Sequence, residues 1–260
     1  MSIADEFLLF DGAQLQDVDA LSAVLALLDL RALYADLGEE AQGIGPFLVP
    51  STGAGDALCA TLDAVDGVFA TTRITCPGGM PRLATHLHTL RYLNTLGERR
   101  YFLRYADNRS SLGLWQVLNA QQREQLLGPA TQWVVRDATG KASTLQRTSD
   151  HNAAGPIILR PEQFGRLLEQ SRPGGLMSAT MTVWTGDLPS YAARMASSER
   201  VYAWLQESVE SRTPLASLVN AAMWRSNGQA LDDARFQDAL HADEAAGRPA
   251  SILKWEPSTP

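Results

Sequence analysis

RYFLRYADNRSSLGLWQVLNAQQREQLLGPATQWVV, residues 100–135, is the stretch on which the reading of this chain turns. Tyr101, Leu103 and Tyr105 alternate with Phe102 and Arg104, a period of two that predicts a strand over 101–105. The chain then turns at Ala106-Asp107-Asn108 and enters two short helical runs. Asp107 is placed to cap the first, and Asn119 with Gln122 three residues later reads as the capping box of the second. Gly128-Pro129 is a helix stop, a glycine able to take positive φ followed by a residue that cannot continue a helix. A second strand is expected over 132–136. Every boundary signal agrees with its neighbours, and none of them is catalytic.

Working outward, the remaining N-terminal sequence alternates strands with helices. Phe7-Leu8-Leu9-Phe10 is a four-residue apolar run ended by Asp11-Gly12, which reads as a buried strand. Asp17 or Asp19 then caps a helix carrying Val18, Leu21, Val24, Leu25 and Leu28. The segment 30–37 is read as a helical turn or loop, Gly45-Pro46 as its end, and Phe47-Leu48-Val49-Pro50 as a strand. Gly53 and Gly55 precede a helix over 56–65. The third glycine of a dinucleotide fingerprint and the Walker lysine are absent, so the glycines are read as a turn and not a phosphate loop. A strand is expected over 68–75 and a helix over 82–93, with a loop over 94–99. His86 and His88 are two apart on that helix, on opposite sides, and cannot share a metal. His88 is expected at the surface and His86 in a groove.

Beyond 136, Asp137 to Lys141 form a hairpin turn before a polar strand over 142–147, and 148–156 reads as a linker. Ser149-Asp150-His151 holds three triad residue types, but contiguity in sequence is not triad geometry. After Pro156 the pattern is helical only. One helix opens at Arg160-Pro161-Glu162 and stops at Pro173-Gly174-Gly175. The others cover 190–209, a run from Pro214 to Asn227-Gly228, and 232–246, before an extended tail. The expected fold class is therefore α+β of an α/β type. A lobe over 1–150 has a small mixed sheet flanked by helices, and a helical lobe with the tail covers 151–260.

Composition narrows the function classes. The 260 residues are 45% apolar and 20% charged, the balance of an ordinary globular protein. No apolar run reaches the ~18 residues of a membrane span, and the acidic start, Asp5-Glu6, does not read as a secretory signal. Two cysteines, Cys59 and Cys76, make neither a disulfide framework nor a zinc set. A cytoplasmic protein is expected, without cofactor, metal or membrane partner. The net charge of −7 is uneven: residues 1–66 sum to −11, 67–150 to +6 and 151–260 to −2. The basic middle holds Arg82, Arg91, Arg99, Arg100, Arg104 and Arg109. It is read as facing the acidic first segment within one fold, and nucleic acid is not expected as a partner because the whole chain is acidic.

Ordered short motifs carry a resemblance. They are LLFDGA at 8–13, Leu33-Tyr34, GPFLVP at 45–50, GVFATTRIT at 67–75, PRLATHLHTLRYL at 81–93, and the junction Arg104-Tyr105-Ala106-Asp107-Asn108-Arg109 with its closing Gly128-Pro129. Together they resemble the effector chaperone, or adaptor, family of type VI secretion. At the junction Ala106 stands where the family pattern has an aromatic residue, and Asn108 where it has proline. The resemblance implies a non-enzymatic protein that binds a cognate effector and helps load it onto a VgrG-type spike. It implies no catalytic residues, and gives Arg104, Asp107, Arg109, Gly128 and Pro129 a structural role.

Four of the six tryptophans lie in the last 110 residues. Trp224 with Arg225, and Ile252, Leu253 and Trp255 of the tail, are accordingly the expected effector-binding residues. The competing enzyme reading places a small-molecule or hydrolytic site on Arg104, Asp107 and Arg109, because cation–carboxylate clusters at strand ends host active sites as well as caps.

Overall fold

A computed structural model of the chain describes residues 5–15, 18–27, 29–65, 67, 69–97, 99–137, 139–148, 155–206, 215–246, 249 and 251–257. The fold is α+β and divides into two compact units, Met1–Leu167 and Leu168–Pro260.

The first unit is built around the run Phe7-Leu8-Leu9-Phe10. In a strand, successive side chains point to opposite faces, so a strand apolar at every position needs cover on both. Strand β1 (Glu6–Asp11) has that cover. Phe7 and Leu9 join one buried cluster and Leu8 and Phe10 another. Strand β3 (Pro46–Pro50) repeats the division, with Leu48 on the first face and Phe47 and Val49 on the second. Helix α1 (Val18–Leu25) and helix α3 (Ala54–Asp63) give Val24, Cys59 and Leu62 to the second face. Leu25 of the predicted stripe is exposed, and Asp17 and Leu28 lie outside the described residues.

The sheet is completed by β2 (Arg31–Ala32), β4 (Thr71–Thr75), β7 (Gln132–Arg136) and β8 (Ala142–Gln146) in the order β2-β3-β1-β4-β7-β8. Every pairing in it is antiparallel. The first face is covered by α4 (Gly79–Thr89), α5 (Asn108–Val117) and α6 (Ala120–Leu127), which contribute Leu83, Leu87, Leu114, Leu126 and Leu127. The short helix α2 (Glu39–Ile44) precedes β3.

Mixed pairing occurs in a second, three-stranded sheet ordered β6-β5-β9. Strand β5 (Tyr92–Thr95) pairs antiparallel with β6 (Arg100–Phe102) and parallel with β9 (Ile158–Leu159). Three expectations change here. The helix read over 82–93 ends at Thr89, because Tyr92 and Leu93 pair with Phe102 and Tyr101 of β6, partners that no local pattern reveals. The strand read over 101–105 is three residues long, since the chain leaves the sheet after Leu103. The segment after Pro156 gives a strand before it gives a helix. That strand moves the division of the units past 150: Ile157 and Leu159 are buried in the first unit, and Gln163 Nε2 donates to Val117 O at 2.8 Å.

Helix α7 (Pro161–Met181) runs through Pro173-Gly174-Gly175 where the sequence predicts a stop. Proline removes one backbone donor and costs about 3 kcal/mol in a helix interior. Burial of Met177 and Thr180 on the far side of Pro173 rewards continuation. The second unit adds α8 (Tyr191–Gln206), α9 (Ala216–Arg225) and α10 (Ala234–Ala246), packed on Val201, Val219, Met223, Phe236 and Leu240. Buried Asn220 ties three of these helices, its Nδ2 donating to Thr180 Oγ1 and Ser198 Oγ, both at 2.9 Å. Asn227 and Gly228 take positive φ and end α9 as read, with Gly228 N donating to Met223 O at 2.7 Å in a Schellman arrangement.

Among the described residues no helix is long and apolar enough to cross a membrane, and no group of three or more His, Cys, Asp or Glu is placed to hold a metal ion.

Candidate partner-binding groove

Four of the motifs quoted from distant parts of the chain meet at one place. Asp11 of LLFDGA closes β1 and is buried, and Arg104 Nη2 donates to its Oδ2 at 2.7 Å. Gly12, the next residue, donates its N–H to the carbonyl of Gly45, the first residue of GPFLVP. A Cβ on Gly12 would sit 2.7 Å from that oxygen and from the Phe47 ring, so the crossing requires glycine. Tyr34 lies against this crossing, its ring 5.3 Å from Phe102 and 6.2 Å from Tyr105, edge-on to both.

Asp107 holds the other side of the junction. Its Oδ1 accepts from the Arg109 backbone N–H at 3.1 Å as the N-cap of α5. The Arg109 guanidinium grips both carboxylate oxygens at 2.9 Å, and Arg104 Nη1 lies 3.5 Å from Oδ2. Two buried acids are thus matched by two partly exposed arginines.

Asn108, read from sequence as a departure from the family pattern, is fully buried and functional in the fold. Its Nδ2 donates to Thr71 O at 2.8 Å, and its Oδ1 accepts from the Thr72 hydroxyl, fastening α5 to β4. Proline could supply neither bond. Sequence reasoning missed this role because an asparagine beside a cap reads as a turn residue.

Above the Asp11–Arg104 pair lies a pocket of about 380 Å³. Ala13, Tyr34, Leu37, Ala41, Ile44, Pro46, Phe102 and Ala106 form its walls. Leu37, Ile44 and Phe102 are 43%, 50% and 50% exposed, large apolar side chains facing solvent around one concavity. No periodicity marks them, because they come from a short 3-10 turn, the end of α2 and an edge strand. Behind Tyr34, Arg91 is buried and donates to both oxygens of Asp36, at 2.6 and 2.7 Å. Those hydrogen bonds hold the Asp36 carboxyl down to about 2, and burial pushes the Tyr34 hydroxyl up to about 12.

Gly128 and Pro129 stand apart from the groove, at the end of α6. Gly128 has φ 56° and ψ −121°, a conformation open essentially to glycine alone. The His86 ring fills the space its Cβ would take, at 2.3 Å, and His86 Nε2 donates to Leu126 O at 2.9 Å. His86 is half-buried and His88 exposed.

The residues expected to bind an effector lie in the second unit. Trp224, Ile252 and Trp255 are buried there, whereas Arg225 and Leu253 are exposed. The tail folds back as a 3-10 turn, Ile252–Lys254, with the Trp255 ring 4.9 Å from Phe236. The buried Asp243 carboxylate accepts from the backbone N–H groups of Ser251 and Ile252, at 2.7 to 2.9 Å. Trp224 borders one pocket of about 350 Å³ and Trp255 another of about 950 Å³. Both cysteines are buried and free, and burial pushes the Cys59 thiol up to about 11. Ser149-Asp150-His151 lies outside the described residues.

Acids of residues 1–66 pair across the fold with bases of the middle segment. Arg73 meets Glu6 and Asp56, Arg91 meets Asp36, Arg104 meets Asp11, and Arg136 meets Asp63.

Residues 6–125 match the family model described as "Domain of unknown function (DUF4123)", a stretch that includes every wall of the groove. Neither a curated protein nor a solved structure matches the chain.

Proposed function

We propose that this protein is a non-enzymatic chaperone or adaptor of type VI secretion. It binds a cognate effector in the cytoplasm and helps load it onto a VgrG-type spike. The observation that carries this reading is the convergence of the family-like motifs on one groove. LLFDGA, Leu33-Tyr34, GPFLVP and the Arg104–Arg109 junction all contribute to it, and its mouth exposes Leu37, Ile44 and Phe102. A chaperone has to cover apolar surface that its client would otherwise expose, and a concave apolar site with a few fixed polar groups suits that task.

The enzyme reading is the weaker one. Both oxygens of Asp107 accept from Arg109, and the Asp11 carboxylate is taken by Arg104 and by Ala13 N. Such a cluster fastens a helix to a strand end, with its carboxylates engaged by arginines and backbone N–H groups. Binding in the second unit draws support from the two pockets bordered by Trp224 and Trp255, at positions where aromatic anchors carry interface energy.

The test is co-purification of the full chain with the effector encoded beside it. Ile44→Asp and Phe102→Asp change exposed side chains and leave the core alone, so the fold should survive. Each should cut effector retention about tenfold, the effect of losing one well-packed apolar anchor worth ~1.4 kcal/mol. Wild-type protein that retains no effector would sink the adaptor reading. Groove variants that retain it fully would move the site to the second unit.

A further inference from the structure

We infer that the free edge of β6, beside the groove, receives an extended acidic and apolar segment of the effector as a fourth strand of the small sheet. This inference rests on the adaptor reading and specifies what the groove takes.

The backbone supplies the first observation. Leu103 N–H donates to Arg91 O at 2.9 Å and Thr95 N–H to Arg99 O at 3.0 Å. In an antiparallel pair the bonded residues alternate, so residues 99, 101 and 103 direct their N–H and C=O groups toward β5. Those of Arg100 and Phe102 therefore face away from β5, and β6 is the edge of its sheet. Unpaired edge groups are a ready template for another strand. Among the described residues no strand pairs with this edge, and it borders the apolar groove, since Phe102 belongs to both.

Charge supplies the second. Strand β6 and its flanks read Arg99-Arg100-Tyr101-Phe102-Leu103-Arg104. Arg99 and Arg100 are exposed, and among the described residues neither has an acidic partner. The Arg100 guanidinium rests over the Tyr92 ring, 3.4 Å from its centroid, which holds the charge at the edge. The bases elsewhere in this unit that the acidic first segment neutralises, Arg73, Arg91 and Arg136, are not on this edge. An added strand with acidic side chains at its end opposite Arg99 and Arg100 would meet their charge. Its apolar side chains would enter the groove beside Phe102, Leu37 and Ile44. Main-chain hydrogen bonds then supply affinity and the alternating side chains specificity, the logic of strand addition.

The experiment uses the full chain with its co-expressed neighbouring effector. Hydrogen exchange should show the amides of Arg100 and Phe102 slowed in the complex relative to the free protein. Reversing Arg99 and Arg100 to glutamate changes only exposed side chains and should lower retention about tenfold. Phe102→Pro and Phe102→Ala lose the same ring, but only the proline removes the outward N–H, so Phe102→Pro should retain less effector than Phe102→Ala, and equal retention would overturn the inference. If wild-type protein holds no effector, the adaptor reading falls and this inference with it. If the complex forms but exchange at Arg100 and Phe102 is unchanged, or the double reversal binds as wild type, the inference alone is overturned. A concentration-dependent dimer that slows the same amides without effector would assign the edge to a second copy and also overturn it.

Discussion

Asn108 shows how much a single side chain decides in this fold. It replaces the proline of the family-like pattern, and with zero exposure it joins Thr71 O and the Thr72 hydroxyl to the start of α5. Removing it leaves two buried polar groups unpaired, at about 1–3 kcal/mol each. Asp107→Ala removes a cap, worth about 1 kcal/mol. Asn108→Ala should therefore lower the thermal midpoint more than Asp107→Ala, and melts of the two variants check the order. His86 sets a second expectation. Burial lowers its pKa below the ordinary 6.5. Between its folded value and 6.5 the unfolded chain binds more protons than the folded one, so stability rises with pH across that window. It is present in full above 6.5 and is lost as pH falls. Melts at about pH 7.5 and about pH 5.5 should show a larger drop for wild type than for His86→Gln, whose side chain does not titrate.

At the scale of elements, caps and most stops were legible in the sequence, the stop read at Pro173 excepted, and pairings were not. Asp107, the Asn119–Gln122 box and the Asn227-Gly228 stop lie where local chemistry places them, because each depends on backbone groups within a few residues. Strands β5 and β9 were missed because a four-residue and a two-residue strand have no periodicity of their own. Their partners lie up to 64 positions away in the pairing Asn94↔Ile158. The C-terminal member of this small sheet makes a prediction. A fragment ending at residue 167 keeps Ile157 and Leu159 buried, and one ending at 150 loses both. Burying two such side chains contributes about 3 kcal/mol or more. The 1–150 fragment should melt more than about 5 °C below the 1–167 fragment.

At the scale of the molecule, the alternation of strands and helices followed by helices alone was enough to determine the α+β class. The all-apolar run Phe7-Leu8-Leu9-Phe10 required cover on both faces of a sheet, and the opposed charges of the first two segments anticipated their pairing. These features are readable because hydrophobic period, caps and charge are summed along the chain. The groove is not of that kind. Asp11, Tyr34, Ile44 and Phe102 are up to 91 residues apart, and only the packing of β1, β3 and β6 brings them to one concavity. The tail follows the same rule: Ile252 and Trp255 read as free anchors until Asp243 and Phe236 are seen to hold them. A side chain becomes core or contact according to what the rest of the chain packs against it, and that is a property of tertiary structure alone.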